Sequence, residues 1–167
     1  MIIVISDTSP INYLVLIGKQ QILPILFSKI VIPGAVLREL QAAATPPEVR
    51  LWMASRPGWL EVKQPARPPE PSLSHLDAGE REAIQLAEEL KADLLIIDER
   101  AGREEALKRS LPVIGTLAIL ESAAERGLLD LALVLVELKA HNFFISPVLE
   151  RDFLERDAQR KAGSRRR

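Results

Sequence analysis

The sequence contains no cysteine, only two histidines and few aromatic residues, which make up 4% of the chain. Without cysteine, neither a disulfide framework nor a thiolate metal site can form. His75 and His141 cannot supply a zinc site by themselves. The apolar runs are far shorter than the roughly 20 residues of a membrane-spanning helix, and Asp7 interrupts the first run before a signal-peptide core can form. We therefore expect a soluble, cytoplasmic protein that makes no membrane contact.

The formal net charge of −1 gives no sign of a nucleic-acid-binding protein, but basic residues collect at the end of the chain. Five of the last eight residues are basic: Arg160, Lys161, Arg165, Arg166 and Arg167. Terminal segments are usually poorly ordered, so residues 161–167 are predicted to form a solvated tail, with binding of phosphates or of an acidic surface as the alternative.

The chain alternates predicted strands with predicted helices. Continuous apolar runs predict buried strands, and apolar residues at helical spacing predict helices. The predicted strands are 2–6, 29–32, 59–62, 93–97 and 112–114. The predicted helices are 10–17 (with Ser9 as N-cap), 20–27, 33–43, one that follows the Pro46-Pro47 break to about 54, 78–90, 100–108, 116–126, 129–139 and 147–160. This order predicts an α/β fold with a parallel sheet of four to five strands and a C-terminal helical extension.

The most informative residues are acids at strand ends and on helix faces. Asp7 and Asp98 each follow a buried strand, where parallel sheets bind their ligands. Glu39 and Glu80 border apolar helix stripes, where an acid is costly to bury unless it pairs or binds a cation. Four such acids at one end of a sheet predict a Mg²⁺ or Mn²⁺ site, because these ions prefer carboxylate oxygens.

Each acid also has a simpler interpretation. Asp7 and Asp98 are suited to capping the helices that follow them. Glu39 has cations nearby in sequence, Arg38 and Arg50, and Glu80 lies where it favours a helix dipole. The joint occurrence of the four acids near one rim favours the metal site.

These residues resemble the acidic motifs of the PIN domain over roughly residues 1–116. The matching motifs are Asp7-Thr8-Ser9, Val36-Leu37-Arg38-Glu39-Leu40, Gly79-Glu80-x-x-Ala83-Ile84, Asp98-Glu99-x-x-x-Arg103 and Ile114-Gly115-Thr116. They are most similar to a subgroup of VapC-like PIN proteins that are described only as nucleic-acid-binding. The resemblance implies a PIN-like three-layer α/β/α domain over residues 1–160, with a core of about 1–116 and a helical extension of about 117–160.

The resemblance implies a metal-dependent endoribonuclease, commonly the toxin of a type II toxin–antitoxin pair. Asp7, Glu39, Glu80 and Asp98 would hold one or two Mg²⁺ or Mn²⁺ ions, and a metal-activated water would cleave RNA phosphodiester bonds. Ser9, beside Thr8, would support Asp7 or a water at the ion. A small antitoxin and a second copy of the chain are the implied protein partners. The apolar helices 11–17 and 20–26 are the candidate dimer face.

Departures from the family pattern leave some assignments open. The third acid is more often Asp, and Asp77 and Glu82 are rivals of Glu80; helical geometry favours Glu80, with Asp77 predicted to start or cap the helix. Ile96 stands where VapC-type members often have Thr, so a polar contact to the last acid is not accounted for. Arg103 is a candidate for binding substrate phosphate, with an ion pair to Glu99 as the alternative.

Two other functions remain open. One is a catalytically weak or inactive PIN-fold module that binds nucleic acid or protein. The other is a phosphohydrolase with Asp7 as nucleophile, which Ser9 disfavours because such sites need a second Asp at that position. The notable aromatic residues are predicted to be core or interface residues and not base-stacking platforms: Trp52, Trp59, Phe143 and Phe144.

Overall fold

A computed structural model describes all 167 residues, which form two compact units, Met1–Thr116 and Leu117–Arg167. The first unit contains β1 (Val4–Ser6), α1 (Thr8–Leu16), α2 (Ile22–Phe27), β2 (Ile30–Pro33), α3 (Gly34–Leu40), α4 (Pro47–Ala54), β3 (Leu60–Lys63), a short 3-10 helix (Pro71–Leu73), α5 (Ala78–Leu90), β4 (Leu94–Ile96), α6 (Arg100–Lys108) and β5 (Val113–Ile114). Three helices follow: α7 (Thr116–Glu125), α8 (Leu131–Ala140) and α9 (Pro147–Ser164).

The five strands form one parallel sheet in the order β3-β2-β1-β4-β5. Strand β1 is buried along its whole length, as its continuous apolar run predicts. From β1 the chain first builds the sheet outward through β2 and β3, and then returns to add β4 on the other side. The carboxyl ends of β1 and β4 therefore lie at the point where the strand order reverses, which is where open parallel sheets bind ligands. The predicted fold class is confirmed.

The core of the first unit is built from aliphatic side chains of β1, β2, β4, α5 and α6. Ile5, Ala83, Ile84 and Leu95 have no exposed surface in this cluster. Helix α5 begins and ends at its predicted residues, and its Ala83, Ile84 and Ala87 form the predicted inward stripe. This packing brings the first turn of α5 to the edge of the sheet where β1 and β4 end.

Some element ends differ from the prediction. Helix α1 begins at Thr8, two residues early, and its N-cap residue is Asp7, so the prediction of Ser9 as N-cap was wrong. Phe144 is 84% exposed and is therefore not a core residue. Trp52 and Trp59 pack against each other with ring centroids 5.8 Å apart.

In the second unit, charged side chains link the helices. Arg156 of α9 donates a hydrogen bond to Glu121 of α7 at 3.0 Å. Helix α9 continues to Ser164, beyond the predicted end at 160, and Lys161 pairs with Asp157 at 2.9 Å. Part of the predicted tail is thus helical, because i,i+4 pairing extends the helix into it. None of the helices in the structure has both the length and the apolar character needed to span a membrane.

Candidate metal centre

Asp7 is held at the end of β1. Its backbone N–H donates to the carbonyl of Ile96 at 2.9 Å, which fixes it beside β4. The residue is only 3% exposed, and Asp7 Oδ1 is buried without a hydrogen-bond partner. Although Asp7 occupies the N-cap position of α1, its side chain makes no capping hydrogen bond. A capping role therefore does not explain why a carboxylate is buried here.

Glu39, a half-buried residue of α3, extends its carboxylate toward Asp7. The Thr8 hydroxyl donates to Glu39 Oε2, and the backbone N–H of Gly79 donates to Glu39 Oε1 at 3.0 Å. Neither of its neighbouring cations pairs with it, since Arg38 reaches Glu82 and Arg50 donates to the carbonyl of Thr45. Glu39 is thus oriented by neutral donors, which leave its charge uncompensated.

Asp77 and Glu80 form a capping box at the start of α5. Asp77 Oδ1 accepts a hydrogen bond from the backbone N–H of Glu80 at 2.8 Å, and Glu80 Oε2 accepts one from the backbone N–H of Asp77 at 3.3 Å. The prediction that Asp77 caps the helix is confirmed. Glu80 is 4% exposed, so its carboxylate is buried next to the cap.

The structure brings Asp7, Glu39 and Asp77 together. One carboxylate oxygen of each lies within 4.8 Å of the others. The sequence predicts Asp77 only as a helix cap, whereas the fold places it in this acidic trio. Glu80 and Asp98 are outside the trio. The helical periodicity of the sequence could not reveal the position of Asp77, because this residue precedes the helix.

Gly79 makes room for the trio. A Cβ atom at this position would lie 2.5 Å from Glu39 Oε2 and 2.9 Å from Asp7 Oδ1. Real side-chain carbons do not approach oxygens so closely, so any other residue would push the carboxylates away. The Gly79 of the sequence motif therefore lets two acids approach the first turn of α5.

Burial and mutual repulsion disfavour ionisation of Asp7 and of Glu80. Burial raises the pKa of Asp7 well above its usual value, and the charges of Asp77, Glu80 and Glu39 raise it further, with the amide of Thr8 acting in the opposite direction. Burial, followed by the charge of Asp77, raises the pKa of Glu80 to about 6. A divalent cation would relieve both effects, because it would neutralise the carboxylates where they are.

Asp98 is held separately, by Thr116 at the end of the first unit. Thr116 donates to it twice, from its backbone N–H to Oδ1 and from its hydroxyl to Oδ2, each at 2.7 Å. Thr116 thereby supplies the polar contact that Ile96 cannot provide. Burial raises the pKa of Asp98, while these two hydrogen bonds and the charge of Arg103 lower it.

The remaining sequence candidates lie around this centre. Arg103 is exposed and makes no ion pair with Glu99, so that alternative was wrong. Glu82 accepts a hydrogen bond from the N–H of Ala35 at the start of α3, which explains it without a metal. Ser9 makes no side-chain hydrogen bond in the structure, and the neighbouring Thr8 is the hydroxyl that orients a site carboxylate.

The residues fit a hard divalent cation. Asp7 supplies a buried carboxylate oxygen that has no partner, two further carboxylates lie within 4.8 Å, and no Lys or Arg side chain forms an ion pair with any of the three. An isolated buried charge is costly unless it pairs or binds a metal. Oxygen ligands of this kind suit Mg²⁺ or Mn²⁺.

Comparisons with known proteins identify the fold and the family of the chain. The family model DUF3368, a PIN domain, matches residues 3–159. A solved structure of a PilT N-terminus domain protein from the hyperthermophilic archaeon Sulfolobus solfataricus P2 is similar, with a TM-score of 0.52 and 23% identity, over 74% of this chain and 93% of that chain. Comparison with curated proteins finds no match. Since the family model covers nearly the whole sequence, the chain belongs to the PIN-domain family, whose members are generally metal-dependent nucleases that act on nucleic acid.

Proposed function

We propose that this protein is a divalent-metal-dependent endoribonuclease. The observation that carries the proposal is the buried, partnerless Oδ1 of Asp7 beside the carboxylates of Glu39 and Asp77. Such an arrangement is unfavourable without a cation and well suited to one. The PIN family match supports a nucleic acid as the substrate.

The ligands of the ion would come from the acidic trio, with Glu80 and Asp98 completing the acidic set. A bound Mg²⁺ or Mn²⁺ lowers the pKa of a water and stabilises negative charge on phosphate oxygens. The protein holds the carboxylates in place. Thr8 and the Gly79 amide orient Glu39, and the capping box fixes Asp77 and Glu80 relative to the first turn of α5.

Arg103 is the candidate phosphate-binding residue. It is exposed, forms no ion pair, and a Cβ atom at Gly115 would lie 3.2 Å from its Nη1, so its guanidinium lies against that glycine. Its charge is close enough to Asp98 to lower the pKa of that carboxyl. A guanidinium beside an acidic centre can hold a substrate phosphate that the carboxylates alone would repel.

The finer biological role that we propose is that of a toxin in a type II toxin–antitoxin pair, restrained by a small antitoxin protein. The VapC-like motifs around Asp7, Glu80 and Asp98 support this role. We propose a homodimer in which the apolar helices α1 and α2 contribute to the interface. Ile25 of α2, which is 54% exposed, is an apolar side chain available for such a contact.

RNA cleavage tests the proposal directly. Purified protein is incubated with a mixed single-stranded RNA pool and Mg²⁺ or Mn²⁺, with EDTA as the metal-free control. Asp77→Asn and Asp98→Asn are compared with Glu137→Gln, which removes an exposed acid from α8 outside the centre. We expect cleavage by the wild type and by Glu137→Gln, and loss of cleavage in EDTA and in both Asp variants. Cleavage that persists in EDTA would contradict the proposal.

A second candidate is a binding module with weak or no catalysis. It is favoured by the hydrogen bonds that Glu39 and Asp77 already accept within the chain, which give both acids a structural role. Such a module would bind RNA with similar affinity in the wild type and in Asp98→Asn, and neither protein would cleave it. A gel-shift titration alongside the cleavage assay separates the two functions.

A further inference from the structure

The register of the sheet places Asp98 and Thr116 side by side. Strands β4 and β5 are parallel neighbours with Ile96 opposite Ile114. Ile97 donates to the carbonyl of Ile114 at 2.9 Å, so the pairing continues to the end of the strands. Asp98 and Thr116 each lie two residues beyond this pair, and adjacent parallel strands carry equivalent positions to the same edge.

Thr116 contacts both oxygens of the Asp98 carboxylate. The two hydrogen bonds, one from the N–H and one from the hydroxyl, are each 2.7 Å long, as expected when a carboxylate accepts from neutral donors. Thr116 itself is completely buried, which leaves its side chain no alternative partner in solvent. Two donors from one residue fix the rotation as well as the position of the carboxylate plane.

The residue before Thr116 keeps this contact close. A Cβ atom at Gly115 would lie 2.9 Å from Asp98 Oδ1. The glycine thus allows the chain to pass near the carboxylate, so that the next N–H can reach it. The segment Ile114-Gly115-Thr116 therefore packs closely against the Asp98 carboxylate.

We infer that Thr116 is the positioning residue of Asp98, and that it sets the orientation of this carboxylate for the metal-dependent reaction. The inference rests on the proposed nuclease function. In this role Thr116 does not contact the substrate. Its hydroxyl acts through Asp98, in the way that outer partners of ligating carboxylates govern metal affinity and activity.

The test compares Thr116→Val, Thr116→Ser and Asp98→Asn. Val matches Thr in shape but lacks the hydroxyl, whereas Ser restores it. Thr45→Val is the matched control, because the Thr45 hydroxyl donates to the main-chain carbonyl of Glu39 and not to a carboxylate. Mn²⁺ affinity is measured by calorimetry, kcat and KM by RNA cleavage, and folding by thermal unfolding.

We expect Thr116→Val to weaken Mn²⁺ binding by about 10-fold or more and to lower kcat similarly, with KM changed much less. Thr116→Ser recovers both values, and Thr45→Val resembles the wild type. In a double-mutant cycle of Mn²⁺ affinity, Thr116→Val has no further effect once Asp98 is Asn, because Thr116 acts through that side chain.

Several outcomes would overturn the inference. A Thr116→Val protein that is less stable but keeps wild-type Mn²⁺ affinity and kcat would show a merely structural contact. Additive effects in the cycle, or wild-type Mn²⁺ affinity in Asp98→Asn, would show that Thr116 does not act through Asp98 on the metal. A wild type that binds Mn²⁺ but cleaves no RNA would instead refute the nuclease function, and the affinity measurements would still decide the role of Thr116. No Mn²⁺ binding by the wild type would overturn both.

Discussion

Replacing Glu80 by Gln should stabilise the metal-free protein. Glu80 is 4% exposed, and burial together with the charge of Asp77 raises its pKa from 4.5 to about 6. Gln has nearly the same shape, and its amide oxygen can still accept the hydrogen bond from the Asp77 N–H that completes the capping box. Glu80→Gln therefore removes the buried charge and preserves the helix cap.

The magnitude follows from proton linkage. The difference between 4.5 and about 6 corresponds to about 2 kcal/mol of folding free energy. Because the pKa is higher in the folded state, this stabilisation is fully present below pH 4.5 and is lost as the pH rises through about 6. At pH 7 the wild type has lost this stabilisation because Glu80 is ionised, whereas the neutral Gln does not ionise and loses nothing. The variant should thus be about 2 kcal/mol more stable at pH 7, equivalent to a Tm increase of about 4–8 °C, and nearly equal to the wild type at about pH 4.

Tryptophan fluorescence is a suitable assay. Trp52 and Trp59 both lie in the unit Met1–Thr116, which also contains Glu80, so their emission reports the unfolding of the relevant unit. Urea unfolding is measured in EDTA at pH 7 and pH 4, with Glu137→Gln as the exposed-acid control. A variant less stable than the wild type at pH 7, or a stability difference that does not change with pH, would refute the reasoning.

The remaining predictions concern other contacts of the first unit. Gly79→Ala should weaken Mn²⁺ binding about 10-fold or more in calorimetry, because the new Cβ displaces two carboxylates of the trio; wild-type affinity would contradict this. Asp7→Asn should raise the urea midpoint at pH 7 in EDTA and abolish the stabilisation by Mn²⁺, because Asn avoids the cost of burying an ionisable carboxyl and supplies no anionic ligand; a lowered midpoint would argue against this. Arg109→Met should destabilise the fold by about 1–3 kcal/mol in urea unfolding, since it removes the ion pairs to Glu70, Glu88 and Glu105, of which only Glu105 is nearly buried. Because Arg109 lowers the pKa of Glu105, the contribution of this ion pair to the free energy of unfolding should be present above about pH 4.5 and be lost as the pH falls below that value. If the stability difference between the wild type and Arg109→Met does not change at low pH, another interaction dominates.

Local sequence signals were sufficient for most of the fold. The apolar run before Asp7 predicted a buried strand, and the stripe of Ala83, Ile84 and Ala87 predicted α5 at the bounds it has. The start of α1 was predicted less well, because Asp7, Thr8 and Ser9 are all good N-cap residues and propensity alone does not choose among them. The end of α9 was missed because ion pairs near the terminus, such as Lys161 with Asp157, extend a helix beyond its apolar pattern.

By itself, the sequence determined that acids follow two buried strands and border two helix stripes, because strand and helix periodicity are local properties of the chain. Only the tertiary structure decided which carboxylates meet. Asp77 joins Asp7 and Glu39 because α5 packs its first turn at the sheet edge, and Thr116 reaches Asp98 because β4 and β5 pair in one register. These contacts join residues far apart in the chain, and their distances depend on packing and register, which no local pattern encodes.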